Sequence, residues 1–209
     1  MKISPDMTRV TLSVEGKYPE YGETLRRSAE ETEQLRNMLS EFGFEPTDLK
    51  TLSFNVNTEF ESYKDKGAYK QRFVGYKFRH VLKIEFLSDN KRLSKVLHAL
   101  TNSPIKPEFR LSYTVSDPET AKNELLEKAV LNAKEKASLL SKTAGVKLKD
   151  IQHIDYSWGK INFEVEPMDR MMEGEYYLDG DIEDDQCKFD IEPDDIEASD
   201  TVTVLWEIE

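Results

Sequence analysis

The chain has 209 residues, with 29 Lys or Arg against 41 Asp or Glu, so its formal net charge is −12. No apolar run approaches the roughly 20 residues of a membrane-spanning helix, which excludes that class of protein. The length suits one sizeable hydrophobic core or two small ones. The opening residues lack a signal-peptide core and Cys187 is the single cysteine, so we expect a cytoplasmic protein.

The first half of the chain predicts a strand, a long helix and two further strands. Residues 8–15 alternate between apolar and polar side chains, and residues 22–42 carry apolar side chains at helical spacing. Strands are predicted over 49–60 and 71–87. The second of these is too long for one compact sheet, so we expect it either to bend at Gly75 or to project beyond the sheet with its outer part. Asp89 is placed to cap a short helix that ends near residue 103.

The second half predicts the same order of elements. A strand over 109–115 precedes a long helix, for which Asp117 is the expected N-cap and Gly145 the expected stop. Strands are predicted over 151–158 and 201–208. We interpret the helix as one wall of a core, because small and apolar residues form a stripe along it: Ala121, Leu125, Ala129, Ala133, Ala137, Leu140 and Ala144.

These elements predict an α+β fold made of two βαββ-type units, a pseudo-repeat in which antiparallel sheet packs against long helices. The first unit covers residues 8–87 and the second covers residues 107–209. A connecting helix over 89–103 joins them, and an acidic insert over 164–190 interrupts the second.

No catalytic, cofactor or metal constellation is visible in the sequence. His80, His98 and His153 show no metal-ligand spacing, and His80 shares an apolar strand face, as a core or interface histidine would. Cys187 lies among carboxylates that oppose thiolate formation. We therefore expect no enzymatic activity, no cofactor and no metal, and we interpret the acidic stretch around Asp179 as a solvated loop.

One charged excursion lies between the strands of the first half. From Ser62 to Lys83 the chain has seven basic residues against Asp65 alone. Basic residues between aromatic ones on a hairpin can bind single-stranded nucleic acid or another anionic ligand. The favoured interpretation is that the aromatic rings pack inward while the basic groups face solvent, so nucleic acid is not the expected partner. The candidate interaction residues here are Lys64, Lys66, Lys70, Arg72, Tyr63, Tyr69 and Phe73.

The other excursion has the opposite sign. From Glu164 to Asp200 the chain has sixteen acidic residues against Arg170 and Lys188. Apolar residues within it indicate a segment that docks on a partner. We predict that the two excursions meet, within a subunit or between neighbours, so that opposite charge sets register and partner choice. The candidate interaction residues in this excursion are Met171, Met172, Tyr176 and Tyr177.

Four blocks, in order along nearly the whole chain, resemble the SIMPL-domain family, whose bacterial members include periplasmic immunogenic proteins of the outer-membrane-antigen type. They are residues 11–16 (TLSVEG), residues 74–86 with the following helix, residues 111–118 (LSYTVSDP) with the alanine-rich helix, and residues 191–204. Asp194 departs from the glycine usual in the last block. Family members are often exported, whereas no leader is seen in this chain.

The resemblance implies a fold and probable self-association rather than a reaction, because the family has no settled enzymatic activity. We therefore expect one SIMPL-like domain over 1–209, acting as a homo-oligomer and through protein contacts. The alternative is a module that binds an anionic ligand or single-stranded nucleic acid at the basic aromatic hairpin, residues 62–83.

Overall fold

The structure is a computed structural model that describes residues 1–65, 67–156, 161–167 and 191–209. Its helices and antiparallel strands confirm the predicted α+β class. The elements, in chain order, are β1 (Lys2–Ile3), β2 (Met7–Tyr18), α1 (Tyr21–Ser40), β3 (Lys50–Asp65), β4 (Ala68–Leu87), α2 (Asn90–Asn102), β5 (Glu108–Thr114), α3 (Pro118–Ala144), β6 (Leu148–Tyr156), β7 (Glu164–Val165), β8 (Ile196–Glu197) and β9 (Val202–Ile208).

The chain divides into two compact units. The larger unit contains Met7–Tyr113 and Glu166–Glu192, and the smaller unit contains Met1–Asp6, Thr114–Val165 and Pro193–Glu209. The order strand, helix, strand, strand occurs in β2-α1-β3-β4 and again in β5-α3-β6-β9 when the shortest strands are set aside. The pseudo-repeat itself stays a prediction.

The larger unit is a sheet whose strands lie in the order β3-β4-β2-β5. The predicted alternation is present in β2 and in residues 78–86 of β4, where alternate side chains enter the core that α1 and α2 cover, whereas residues 68–73 of β4 are exposed. Burial of these apolar side chains is the main stabilising contribution, at about 25 cal/mol per Å² of apolar surface. The fully buried side chains of this core include Val10, Leu12, Leu35, Phe78, Leu82, Ile84, Leu93 and Leu100.

The helices begin and end where their capping residues predict. Asp89 accepts hydrogen bonds from the backbone N–H groups of Lys91 and Arg92 and so satisfies the first turn of α2. Asp117 accepts from the N–H of Thr120 at the start of α3. Gly145 ends α3 with φ 71°, a left-handed conformation that glycine adopts without a steric cost.

The bend predicted at Gly75 is present in β4. The φ angle of Gly75 is 139°, and β3 shifts its register at the paired position, between Glu59 and Phe60. A register shift of this kind adds a residue to one strand and turns the ribbon. The β3–β4 ribbon therefore changes course at this point.

The smaller unit is built on two short ribbons and one long helix. β6 and β9 pair antiparallel, and β1 pairs with β8. Its buried core consists of Ala121 and Leu125 of α3 together with Phe163 and Ala198. This core is much smaller than that of the larger unit.

The interpretation of α3 as a core wall is correct for its first turns and holds in part for Ala129, Ala133 and Ala137, which are half-buried, but it fails at the far end. Ala121 and Leu125 are buried, but Leu140 and Ala144 at the far end of the same stripe are exposed. A helix of 27 residues is longer than the two-stranded sheet β6–β9 can cover. The alanine-rich stripe therefore extends past the surface against which it packs.

Candidate interaction surfaces

The basic aromatic hairpin forms the outer part of the β3–β4 ribbon. We call residues 59–65 and 67–75 the β3–β4 arm. Its cross-strand pairs include Tyr63 with Lys70, Lys64 with Tyr69, and Phe60 with Phe73. Directly paired residues share a face of an antiparallel ribbon, so these pairs determine which side chains lie together.

The predicted inward packing of the arm's aromatic rings is wrong. Tyr69 is 81% exposed, and Phe73 and Tyr63 are 48% and 40% exposed. Tyr69 and Phe73 lie on the face opposite that of Tyr63, so no single side of the ribbon holds all three rings. The physical reason is that the arm extends beyond the start of α1, where the ring of Tyr21 meets that of Tyr76 at 5.3 Å.

The basic side chains of the arm are largely neutralised by neighbouring acids. Arg72 donates to Glu61 at 2.8 Å and holds the pKa of that carboxyl below its usual value. Lys70 pairs with Asp65 on the other strand. The excess of positive charge counted along residues 62–83 therefore overstates the positive charge that this surface offers to a ligand, because the count leaves out Glu61 and because Asp65 is bound to Lys70.

The same neutralisation continues at the base of the arm. Lys77 pairs with Glu15 at 2.6 Å and Arg79 pairs with the same carboxylate at 3.2 Å. The hydrogen bond from Lys77 lowers the pKa of Glu15. A carboxylate held ionised by two cations is a poor proton acceptor or donor near neutral pH, so this group offers no general acid or base.

The other predicted interaction residues lie outside the described residues. They are Lys66 of the basic excursion and four residues of the acidic excursion: Met171, Met172, Tyr176 and Tyr177. The meeting of the two excursions stays a prediction.

His80 is held by two hydroxyl groups at the base of the β3–β4 ribbon. Its Nδ1 lies 3.1 Å from Thr32 Oγ1 and its Nε2 lies 2.9 Å from Thr51 Oγ1. The ring also packs edge-to-face on Phe54 at 5.1 Å. Burial, with a smaller effect from Arg36, lowers the pKa of His80, so the neutral imidazole is favoured. These contacts describe a histidine that joins α1 to β3.

A second surface, not predicted from the sequence, lies on the smaller unit. Large apolar side chains of α3, β6 and β9 are exposed there, and we call them the exposed apolar surface of the smaller unit. Its members are Leu131, Leu139, Leu140, Ile151, Ile154 and Ile208, whereas Leu205 is exposed on the opposite face of the β6–β9 ribbon.

Sequence reasoning missed this surface because periodicity shows which residues are apolar but not how many elements cover them. Ile151 and Ile154 are three residues apart, a spacing that a regular strand would place on opposite faces. The signal that could have found them is the shortage of partner strands. Only two long strands follow α3 in the predicted order, too few for a helix of that length.

Among the described residues, no group of three or more His, Cys, Asp or Glu side chains is arranged to hold a metal ion. Within the same part of the chain, no helix is both long and apolar enough to cross a bilayer.

Comparison with known families decides the relationship that the sequence blocks indicate. The model of the SIMPL family, described as a protein of unknown function (DUF541), matches residues 1–206. The chain belongs to the SIMPL family. The match covers nearly the whole chain and so includes the larger unit, α3 and most of β9.

Other comparisons are more distant. No curated protein matches the chain. A structure of B. subtilis GlnK has 13% identity and a TM-score of 0.29, covering 52% of this chain and 84% of that one. A B. subtilis GlnK–ATP complex has 12% identity and a TM-score of 0.21, covering 52% and 82%. Values this low support no statement about function.

Proposed function

We propose that this SIMPL-family protein is non-enzymatic and acts by self-association, as a scaffold for protein contacts. The observation that supports the proposal best is the exposed apolar surface of the smaller unit. Leu139 and Leu140 are 66% and 68% exposed on α3, and Ile151 and Ile154 are 47% and 48% exposed on β6.

The energetic argument starts from the size of the smaller unit's core. A two-stranded sheet is marginally stable on its own in water, and here its helix buries only Ala121 and Leu125. Covering a Leu or Ile side chain contributes about 1.5–3 kcal/mol relative to leaving it in water. Association that covers even a few of these side chains would therefore supply a free energy comparable with the whole stability of a domain.

A second copy of the chain is the partner that we expect to cover the exposed apolar surface of the smaller unit. Exposed apolar groups on a soluble protein mark interaction sites, and every copy carries the same set. A two-fold interface uses the same patch on both subunits, so no other partner is needed to cover it. As part of the same proposal we place the protein in the cytoplasm, because its single cysteine fits a reducing compartment.

The alternative, binding of single-stranded nucleic acid or another anion at the arm, has weaker support. Exposed aromatic rings and Lys64 are present, as stacking and charge contacts require. However, Lys70, Arg72, Lys77 and Arg79 all pair with acids of the same ribbon or its neighbour. An anion would have to displace these carboxylates.

The test is sedimentation velocity of three proteins at one concentration. The wild-type chain should sediment as a multimer, and Leu140→Ser should shift it towards a smaller species. Leu87→Ser is the matched control, because Leu87 is 67% exposed but lies in the larger unit. It should leave the sedimentation coefficient unchanged. A wild-type monomer would overturn the proposal.

A further inference from the structure

The outer edge of β6 is open. In the part of the chain that the structure describes, β6 pairs with β9 on one side and with no strand on the other. An edge strand presents a row of backbone N–H and C=O groups that can pair with another chain. Proteins usually block such an edge with charge, proline or a covering element. β6 has no proline, and its charged residues are Lys149, Asp150 and Asp155.

Two irregularities in β6 align its apolar residues on one face. The strand shifts its register against β9 between Leu148 and Ile151 and again between Ile151 and His153. Leu148, Ile151 and Ile154 therefore pair with Ile208, Trp206 and Val204, which alternate along β9. Because paired residues share a face, the three apolar side chains of β6 form one row.

That row is not covered. Ile151 and Ile154 are about half exposed, whereas Val204 and Trp206 beside them on β9 are partly buried. β6 therefore has both exposed apolar side chains and unpaired backbone groups along the edge that faces away from β9. A strand added to this edge would complete both the hydrogen bonding and the apolar row.

We propose that β6 pairs antiparallel with β6 of a second copy, centred on Ile151. The result is a continuous four-stranded sheet in the order β9-β6-β6-β9. The proposal rests on the proposed self-association and specifies which surface forms the two-fold contact. It is an interface in which each copy presents the same residues to the other.

This register is self-complementary in both apolarity and charge. Ile151 lies opposite its own copy, and Leu148 lies opposite Ile154 on the same face. Lys147 lies opposite Asp155, and both are exposed in the single chain. Opposite charges paired across strands stabilise a sheet, whereas like charges destabilise it. No two like charges lie opposite each other, because Asp150 faces Gln152 and Lys149 faces His153.

Moving the centre by one residue removes this agreement. Pairing centred on Gln152 would place Ile154 opposite Asp150 and Ile151 opposite His153, which mixes the apolar row with polar and charged side chains. This move changes every pairing by two residues and sets apolar side chains opposite polar ones, so the register centred on Ile151 is favoured.

Disulfide trapping tests the contact directly. In a Cys187→Ser background, Ile151→Cys places two thiols opposite each other at the two-fold axis. Directly opposite Cα atoms of antiparallel strands lie about 4.5–5.5 Å apart, a separation that a disulfide spans. Mild oxidation should convert the variant to a covalent dimer. Leu205→Cys in the same background is the control, since Leu205 is 56% exposed but lies on β9 and should not cross-link efficiently.

The mass of the protein before oxidation distinguishes failure of the β6 pairing from failure of the proposed self-association. A multimer in which Ile151→Cys cross-links no better than Leu205→Cys would overturn the β6 pairing and leave self-association standing. A monomer would overturn both.

Variants that introduce opposite charges at Ile151 test the same register independently. Ile151→Lys and Ile151→Glu should each lower the mass, because like charges then meet at the axis, and mixing the two should restore a dimer. Failure of the mixture to recover any dimer, with both variants folded by circular dichroism, would contradict the register.

Discussion

Gly75 of β4 packs directly against the backbone of Tyr18 at the end of β2. A Cβ atom built at Gly75 would overlap the carbonyl oxygen of Tyr18 and crowd the next residue, Pro19. The glycine also has a φ of 139°, a conformation that side chains rarely allow. Both constraints occur where the β3–β4 arm leaves the covered part of the sheet.

Gly75→Ala should therefore lower the free energy of unfolding by about 2 kcal/mol or more, through backbone strain and the overlap together. Gly67→Ala separates the two effects, since Gly67 has a φ of 90° but open space around it, and it should cost only about 1 kcal/mol. Gly22→Ala, in α1 with open space and an ordinary φ, should cost nothing. Urea denaturation measures all three, and equal values for Gly75→Ala and Gly22→Ala would contradict the packing described.

His80 makes the stability of the larger unit depend on pH. Its pKa in the folded chain lies below the ordinary value of 6.5, so the unfolded chain binds more protons in this range. The stabilisation is complete above that value and is lost as pH falls from 6.5 through the lower folded pKa. The melting temperature should fall across that window.

The variant His80→Gln should lose this part of the pH dependence. His98→Gln is the control, because His98 lies on the exposed side of α2 and should leave the pH profile of the melting temperature unchanged. A profile for His80→Gln that matches the wild type would show that another group titrates.

Arg92 joins α2 to the end of α1 through two different contacts. Its guanidinium lies 4.0 Å from the ring centre of Phe44 and 5.2 Å from that of Phe86, and Nη2 donates to Gly43 O at 3.1 Å. Arg92→Lys keeps the charge but loses the planar stacking and the directed donor, so we expect a loss of about 1 kcal/mol. Thermal unfolding against Lys91→Arg, an exposed neighbour, checks this. Arg92→Lys as stable as wild type would refute the stacking account.

The arm should not bind single-stranded nucleic acid at physiological salt, because Lys70 and Arg72 are already paired with acidic side chains of β3. Fluorescence anisotropy of a labelled single-stranded oligonucleotide should show no binding that weakens with added salt. The quadruple variant with Lys64, Lys66, Lys70 and Arg72 changed to Glu is the comparison. Salt-dependent binding by the wild type that this variant loses would establish the alternative function.

Much of the fold could be predicted because local chemistry dictates it. Asp117 and Gly145 mark the ends of α3 through capping that depends only on nearby atoms. Gly75 marks a bend because a strand of that length cannot stay straight in one sheet. The α+β class and the SIMPL family were predictable for the same reason, because the periodicity of strands and helices and the order of the family's motifs are both properties of the sequence itself.

The surfaces could not be predicted, because exposure depends on distant elements. Tyr69 and Phe73 are aromatic residues of a kind common in cores, but both are exposed, because none of the helices that the structure describes covers this part of the arm. Ile151 and Ile154 form one row only because β6 is irregular against β9, a property of pairing that the single strand does not reveal. The acids that neutralise Lys70 and Arg72 also belong partly to the paired strand.

Self-association is the central claim, and absolute mass in solution tests it most directly. Light scattering behind a sizing column, at low and at high salt, should give one defined mass that is a multiple of 24.2 kDa. A multimer that loosens at high salt would also support contact between the oppositely charged excursions. A mass of one chain at every concentration and salt would contradict the account.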